Sequence, residues 1–128
     1  MHSTILLYTF VPVVKKKKEM NSENLKSQMR KGVLEYCILL LLKCKRAYAS
    51  DIIDELKKAH LIVVEGTLYP LLTRLKNDGL LTYEWEESTQ GPPRKYYVIT
   101  PDGETFLSEL EATWNSLNQT VNHLKGLS

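Results

Sequence analysis

The sequence predicts a mainly α-helical domain with one small β-hairpin and a long helix at its C-terminal end. Three observations carry that expectation. Apolar residues recur at spacings of three and four in four separate stretches, the period of helices with one buried face. Two short runs, "LLTYEWEE" (80–87) and "RKYYVIT" (94–100), are rich in aromatic and strand-favouring residues and flank the turn-forming "STQGPP". The last stretch opens on a Thr-Pro pair, a helix-start signal.

At 43% hydrophobic and 25% charged over 128 residues, the chain reads as one soluble globular domain with one core. The formal net charge is +2, and residues 1–19 hold four lysines against one glutamate, so the rest is slightly negative. A nucleic-acid binder with this balance must work through a local basic face.

Residues 1–19 differ in character from the rest of the chain. The apolar run from Ile5 to Val14 contains Pro12 and is too short to span a bilayer. Its lysines come after the apolar run, the reverse of a secretion signal. Lys and Glu codons are purine-rich, so "KKKKE" before Met20 fits a ribosome-binding tract. The expectation is a non-native or disordered extension (1–19), translation starting at Met20, and no membrane partner.

Residues 23–44 read as the first helix, with Met29, Val33, Tyr36, Cys37, Leu40 and Leu41 as its stripe. "CILLLL" makes its second half apolar all round, so that half is expected in the core. Lys43, Lys45 and Arg46 suit its C-terminal end. Cys37 and Cys44, seven apart, are expected as reduced core residues. They have no histidines at ligand spacing, so neither a metal site nor a disulfide framework is expected, and a cytoplasmic setting fits.

A second helix is expected from Ser50, as N-cap, to His60, burying Ile52, Ile53, Leu56 and Ala59. The third spans "EGTLYPLLTRLKN" and stops at Gly79. Its start is open: at Thr67, Pro70 falls in the first turn; at Glu65, Pro70 opposes the Gly66 carbonyl. The fourth helix is capped by Thr100 with Pro101 at its first position. Leu107, Leu110, Trp114, Leu117, Val121 and Leu124 then form a heptad seam expected to pair with a second chain.

Three helices, a basic hairpin and a long helix describe a winged helix-turn-helix with a C-terminal dimerisation helix, domains 20–100 and 101–128. On a helical wheel, Leu68, Leu71, Leu72 and Leu75 share one side of the third helix. Gly66, Pro70, Thr73, Arg74 and Asn77 share the other, with Tyr69 on a flank. Arg and Asn on that side suit guanine and adenine edges, and Tyr and Thr suit phosphates. Arg94 and Lys95 put two cations on the hairpin return. No nucleophile-base grouping, phosphate loop or catalytic carboxylate pair stands out, so neither an enzyme nor a cofactor is expected.

"EGTLYPLLTRLKNDGLL" and "GPPRKYYVITPDGETFL" resemble the PadR family of bacterial winged-helix transcriptional regulators, as does "RKGVLEYCILLLL". The resemblance covers about residues 26–124. It implies a dimeric cytoplasmic repressor that binds inverted-repeat DNA and is released by small aromatic or cationic compounds. The DNA-contacting set it implies is Gly66, Thr67, Tyr69, Pro70, Thr73, Arg74, Asn77, Arg94 and Lys95, with Arg30 and Lys31. The single last helix resembles the short subfamily, in which a tryptophan at the dimer interface stacks flat ligands. That makes Trp114 and Asn118 the ligand-binding candidates. Two departures stand out. Val64 replaces a small capping residue, and Tyr48-Ala49-Ser50-Asp51-Ile52 stands where the family favours "YGYEI".

Overall fold

The computed structural model describes residue 25 and residues 28–30, 32–88 and 90–127. The chain divides into two units, 1–34 and 35–128, and the elements from residue 35 onward belong to the second. Their order is α1 (Leu34–Cys44), α2 (Ala49–Lys58), α3 (Glu65–Asn77), β1 (Leu81–Glu86), β2 (Arg94–Ile99) and α4 (Pro101–Lys125). This is a mainly helical winged-helix architecture with one two-stranded sheet and a long last helix. The extension at 1–19 and Lys31 lie outside the described residues.

The expected first helix is interrupted. Residues 28–30 are helical, but Gly32 and Val33 form a turn, closed by the Val33 N–H on the Arg30 carbonyl at 3.0 Å. Glycine is among the weakest helix formers, which makes this the natural place to break. Within α1 the stripe is also displaced: Leu34, Ile38, Leu39 and Leu42 are buried. Tyr36, Cys37 and Leu41 are half-buried, and Leu40 and Met29 are exposed. An all-apolar helix has no polar side to fix its phase, so periodicity alone points to the wrong face. Cys44 is exposed rather than in the core.

The segment before α2 is extended. Ala47 pairs with Tyr97 through two backbone hydrogen bonds (Ala47 N–H to Tyr97 O, 3.1 Å; Tyr97 N–H to Ala47 O, 2.8 Å). α2 therefore starts early, with Tyr48 rather than Ser50 at the N-cap. The Asp51 carboxylate accepts the Tyr48 N–H at 3.0 Å, which satisfies the turn. Ala49, Ile52 and Leu56 are buried, whereas Ile53 is half-buried and Ala59 exposed. α2 ends in a Schellman turn: Leu61 N–H reaches the Leu56 carbonyl (2.8 Å) and His60 N–H the Lys57 carbonyl (2.9 Å). His60 takes the left-handed position at φ 65°. α3 closes in the same way, with Gly79 at φ 78° and Leu80 N–H on the Leu75 carbonyl at 3.0 Å.

α3 begins at Glu65, so Pro70 lies inside it, opposite the Gly66 carbonyl. Gly66 itself is exposed. Leu68, Leu72 and Leu75 are almost fully buried, and each such side chain contributes roughly 1.5–3 kcal/mol. α2 packs on α3, α3 on β1, and α2 on β2. The hairpin pairs Leu81 with Ile99, Tyr83 with Tyr97 and Trp85 with Lys95, in antiparallel register.

Thr100 joins three elements. Its hydroxyl donates to the Gly79 carbonyl (2.7 Å) and accepts the Gly103 N–H (3.0 Å), and its own N–H reaches the Leu80 carbonyl (3.1 Å). Gly103 is buried; a Cβ there would run into the Leu80 carbonyl oxygen and lie 2.7 Å from Ile99 Cγ1. Leu107, one turn on, is 3% exposed and belongs to the chain's own core, so it is not available to a second chain as expected. Beyond half-buried Leu110, every described residue of α4 is exposed.

Gly103→Ala should destabilise the domain by about 3 kcal/mol through overpacking against backbone, read as a lower urea midpoint. A loss below about 0.5 kcal/mol would show that the junction relaxes freely.

Candidate nucleic-acid interface

α3 buries one side and leaves the other bare. Gly66, Thr67, Tyr69, Pro70, Thr73, Arg74 and Asn77 are all exposed. Among the described residues outside its own turn, nothing lies within 4 Å of where a Gly66 Cβ would stand.

The hairpin stands beside this face. A cleft of about 470 Å³ runs between α3, the start of α2 and the hairpin, lined by Tyr48, Ser50, Tyr69, Thr73, Trp85, Arg94 and Lys95, among others. A smaller recess of about 140 Å³ includes Thr73, Lys76, Asn77, Tyr83 and Lys95. Lys95 Nζ lies 4.5 Å from the Tyr83 ring centre and 5.1 Å from that of Trp85, and Lys76 Nζ lies 5.3 Å from Tyr83. Aromatic rings thus hold two ammonium groups between the helix and the hairpin.

The opposite hairpin face carries a four-layer stack. The Arg94 guanidinium lies 3.5 Å from the Tyr48 ring centre. Tyr48 stacks on Tyr96 at 4.0 Å and 19°, and Arg46 lies 4.4 Å from Tyr96. Its edges are tied by Arg46 to Glu84 (3.0 Å), Tyr48 Oη to Glu86 (3.1 Å) and Arg94 to Ser50 Oγ (3.1 Å). The neighbouring Tyr96 hydroxyl, followed by desolvation and the Glu86 carboxylate, pushes the Tyr48 phenol up to about 12. Sequence reasoning finds Arg94 but misses Arg46, Tyr48 and Tyr96. The available signal is the alternation of Arg46 and Tyr48 about Ala47, a period of two that marks a strand edge.

Arg74 is less free than the helical wheel implies. Its guanidinium is ion-paired with the Glu35 carboxylate on α1. Both ends keep solvent access, with side chains 60% and 27% exposed, so the pair is weak enough to exchange. Arg30 is half-buried and lies in the other unit; Lys31 lies outside the described residues.

The candidates on α4 are elsewhere. Trp114 is 43% exposed, with its ring centre 6.3 Å from that of Tyr36 on α1. Asn118, Leu117, Val121 and Leu124 are exposed. Tyr36, expected in the core, instead forms an aromatic pair at this surface. Among the described residues no group of three or more His, Cys, Asp or Glu could hold a metal ion. Among them, too, no helix is long and apolar enough to cross a membrane.

Two predictions concern this face. Glu35→Gln should release Arg74 and strengthen binding to duplex DNA; unchanged affinity would mean that Arg74 makes no contact with DNA. Tyr48 should titrate near pH 12 by ring-carbon NMR. Because the folded value is raised, its contribution to stability is complete below about pH 10 and is lost as pH rises through 12. A midpoint near 10 would mean that the stack is open in solution.

Comparison with known proteins agrees with this geometry. Residues 38–109 match the family model described as the "Transcriptional regulator PadR-like family". A crystal structure of a PadR-like transcription factor from Bacteroides fragilis is 75% identical, with a TM-score of 0.69, over 79% of this chain and 98% of that one. A PadR family regulator from Eggerthella lenta is 34% identical with a TM-score of 0.75, over 80% and 89% of the two chains. A curated transcriptional regulator of Mycobacterium tuberculosis is 43% identical over 56 residues, 44% of this chain and 51% of that protein. The chain belongs to the PadR-like family of transcriptional regulators.

Proposed function

We propose that the chain is a cytoplasmic DNA-binding repressor, dimeric through α4, that binds an inverted-repeat operator and is released by a small aromatic or cationic ligand. The observation that carries the DNA reading is the bare side of α3. It exposes Tyr69, Thr73, Arg74 and Asn77 beside a hairpin carrying Lys95 and Arg94. In such a domain the helix enters the major groove, and the hairpin cations meet the adjacent phosphates.

The dimer reading is supported by α4. Trp114, Leu117, Val121 and Leu124 are 43–58% exposed and recur at heptad spacing over a helix of about 37 Å. A single-chain protein gains little from exposing such a stripe. A two-fold pair matches an inverted-repeat site, because the operator then shares the symmetry of the protein. Trp114 and Tyr36 present ring faces beside that seam, where flat or cationic ligands can stack, with Asn118 one turn away.

The test is binding to the DNA upstream of the chain's own gene. Arg74→Ala should weaken binding by about 1–3 kcal/mol and relax sequence preference. Lys95→Ala should weaken all sequences alike and flatten the salt slope by about one. If neither changes binding, the repressor reading fails, and the alternative is a winged-helix module whose exposed face binds protein. Leu117→Glu combined with Val121→Glu should leave the fold intact and convert the species seen by light scattering from dimer to monomer; an unchanged mass would remove α4 from the interface.

A further inference from the structure

Val64 occupies the N-cap of α3, where Ser, Thr, Asp or Asn normally accepts one of the free helix N–H groups. Valine provides no such acceptor, and no side-chain cap is formed. Nor is its apolar surface used inside the chain. The backbone there is extended, at φ −92° and ψ 158°, so consecutive side chains point oppositely: Val63 is 4% exposed, Val64 64%. The position thus loses a cap and gains no burial. The Val64 carbonyl takes the Thr67 and Leu68 N–H groups at 3.0 Å each, but the described residues leave its side chain largely uncovered.

The neighbours indicate what could cover it. Val64 adjoins Glu65, exposed Gly66 and Thr67, so it lies at the end of the bare face of α3 that would lead into the groove. Ile62, 63% exposed, widens the apolar surface by one residue. Two side chains remain small against the few hundred Å² typical of a protein-binding patch. In the major groove the apolar group on offer is the C5-methyl of thymine. We propose that Val64 reads a thymine methyl in the operator and that the lost cap is the stability cost of this specificity. The inference rests on α3 being the DNA-facing helix.

Uracil differs from thymine only by that methyl, which makes the test direct. Duplexes are selected from a random-sequence pool with the full wild-type chain, and each thymine of the selected site is then replaced by uracil. At one thymine per half-site, wild type should bind the uracil duplex roughly fourfold more weakly, the effect of about one buried carbon. Val64→Ser should bind the two duplexes equally while melting about 4 °C higher, because it restores the cap. Val64→Ile should keep the discrimination. Equal binding of thymine and uracil by wild type at every position, or undiminished discrimination by Val64→Ser, overturns the proposal but leaves DNA recognition by α3 standing. Failure of wild type to enrich any sequence overturns both.

Discussion

The arrangement of the interface depends on the junction at Thr100. Its hydroxyl binds the Gly79 carbonyl, where α3 ends, and caps α4 through the Gly103 N–H, while its own N–H takes the Leu80 carbonyl at the start of the hairpin. One residue thus ties together the end of α3, the root of the hairpin and the start of α4. Gly103 lets the backbones close to a distance that any Cβ would prevent. α4 thus starts in close contact with the Leu80 backbone, beside the end of α3 and the root of the hairpin.

The second constraint is the stack of Arg94, Tyr48, Tyr96 and Arg46. A two-stranded hairpin is marginal by itself. This one is held to the start of α2 by the Ala47–Tyr97 pairing and by layered rings and guanidinium groups. The stack also decides what Arg94 does: its guanidinium is held against Tyr48 and Ser50. Of three exposed glutamates on the hairpin, Glu84 is ion-paired with Arg46 and Glu86 accepts the Tyr48 hydroxyl while keeping its charge.

Much of this was legible in the sequence, for local reasons. The helix stop at Gly79, the Thr-Pro start of α4 and the hairpin runs are set by residues close together in the chain, and the structure has them where they were expected. The exposed set on α3 followed from the 100° period, because its leucines mark one side unambiguously. What failed depended on distant partners. The start of α2 moved because Ala47 pairs with Tyr97, fifty residues away. The phase of α1 was lost because "CILLLL" is apolar on every side, and the break at Gly32 was hidden in an otherwise regular pattern. The Arg74–Glu35 pair could not be read from α3 alone. Pro70 is anomalous only for α3 in isolation; it stands on the bare side, opposite the Gly66 carbonyl.

The central claim is that the bare side of α3 and the adjoining hairpin form the DNA-binding surface. Its most direct test is an amide NMR titration of the full chain with its operator duplex. The account predicts shifts concentrated at residues 64–77 and 93–96, with smaller ones where the α2 N-terminus meets Arg94. Shifts confined to the exposed stripe of α4, with α3 unperturbed, would contradict it.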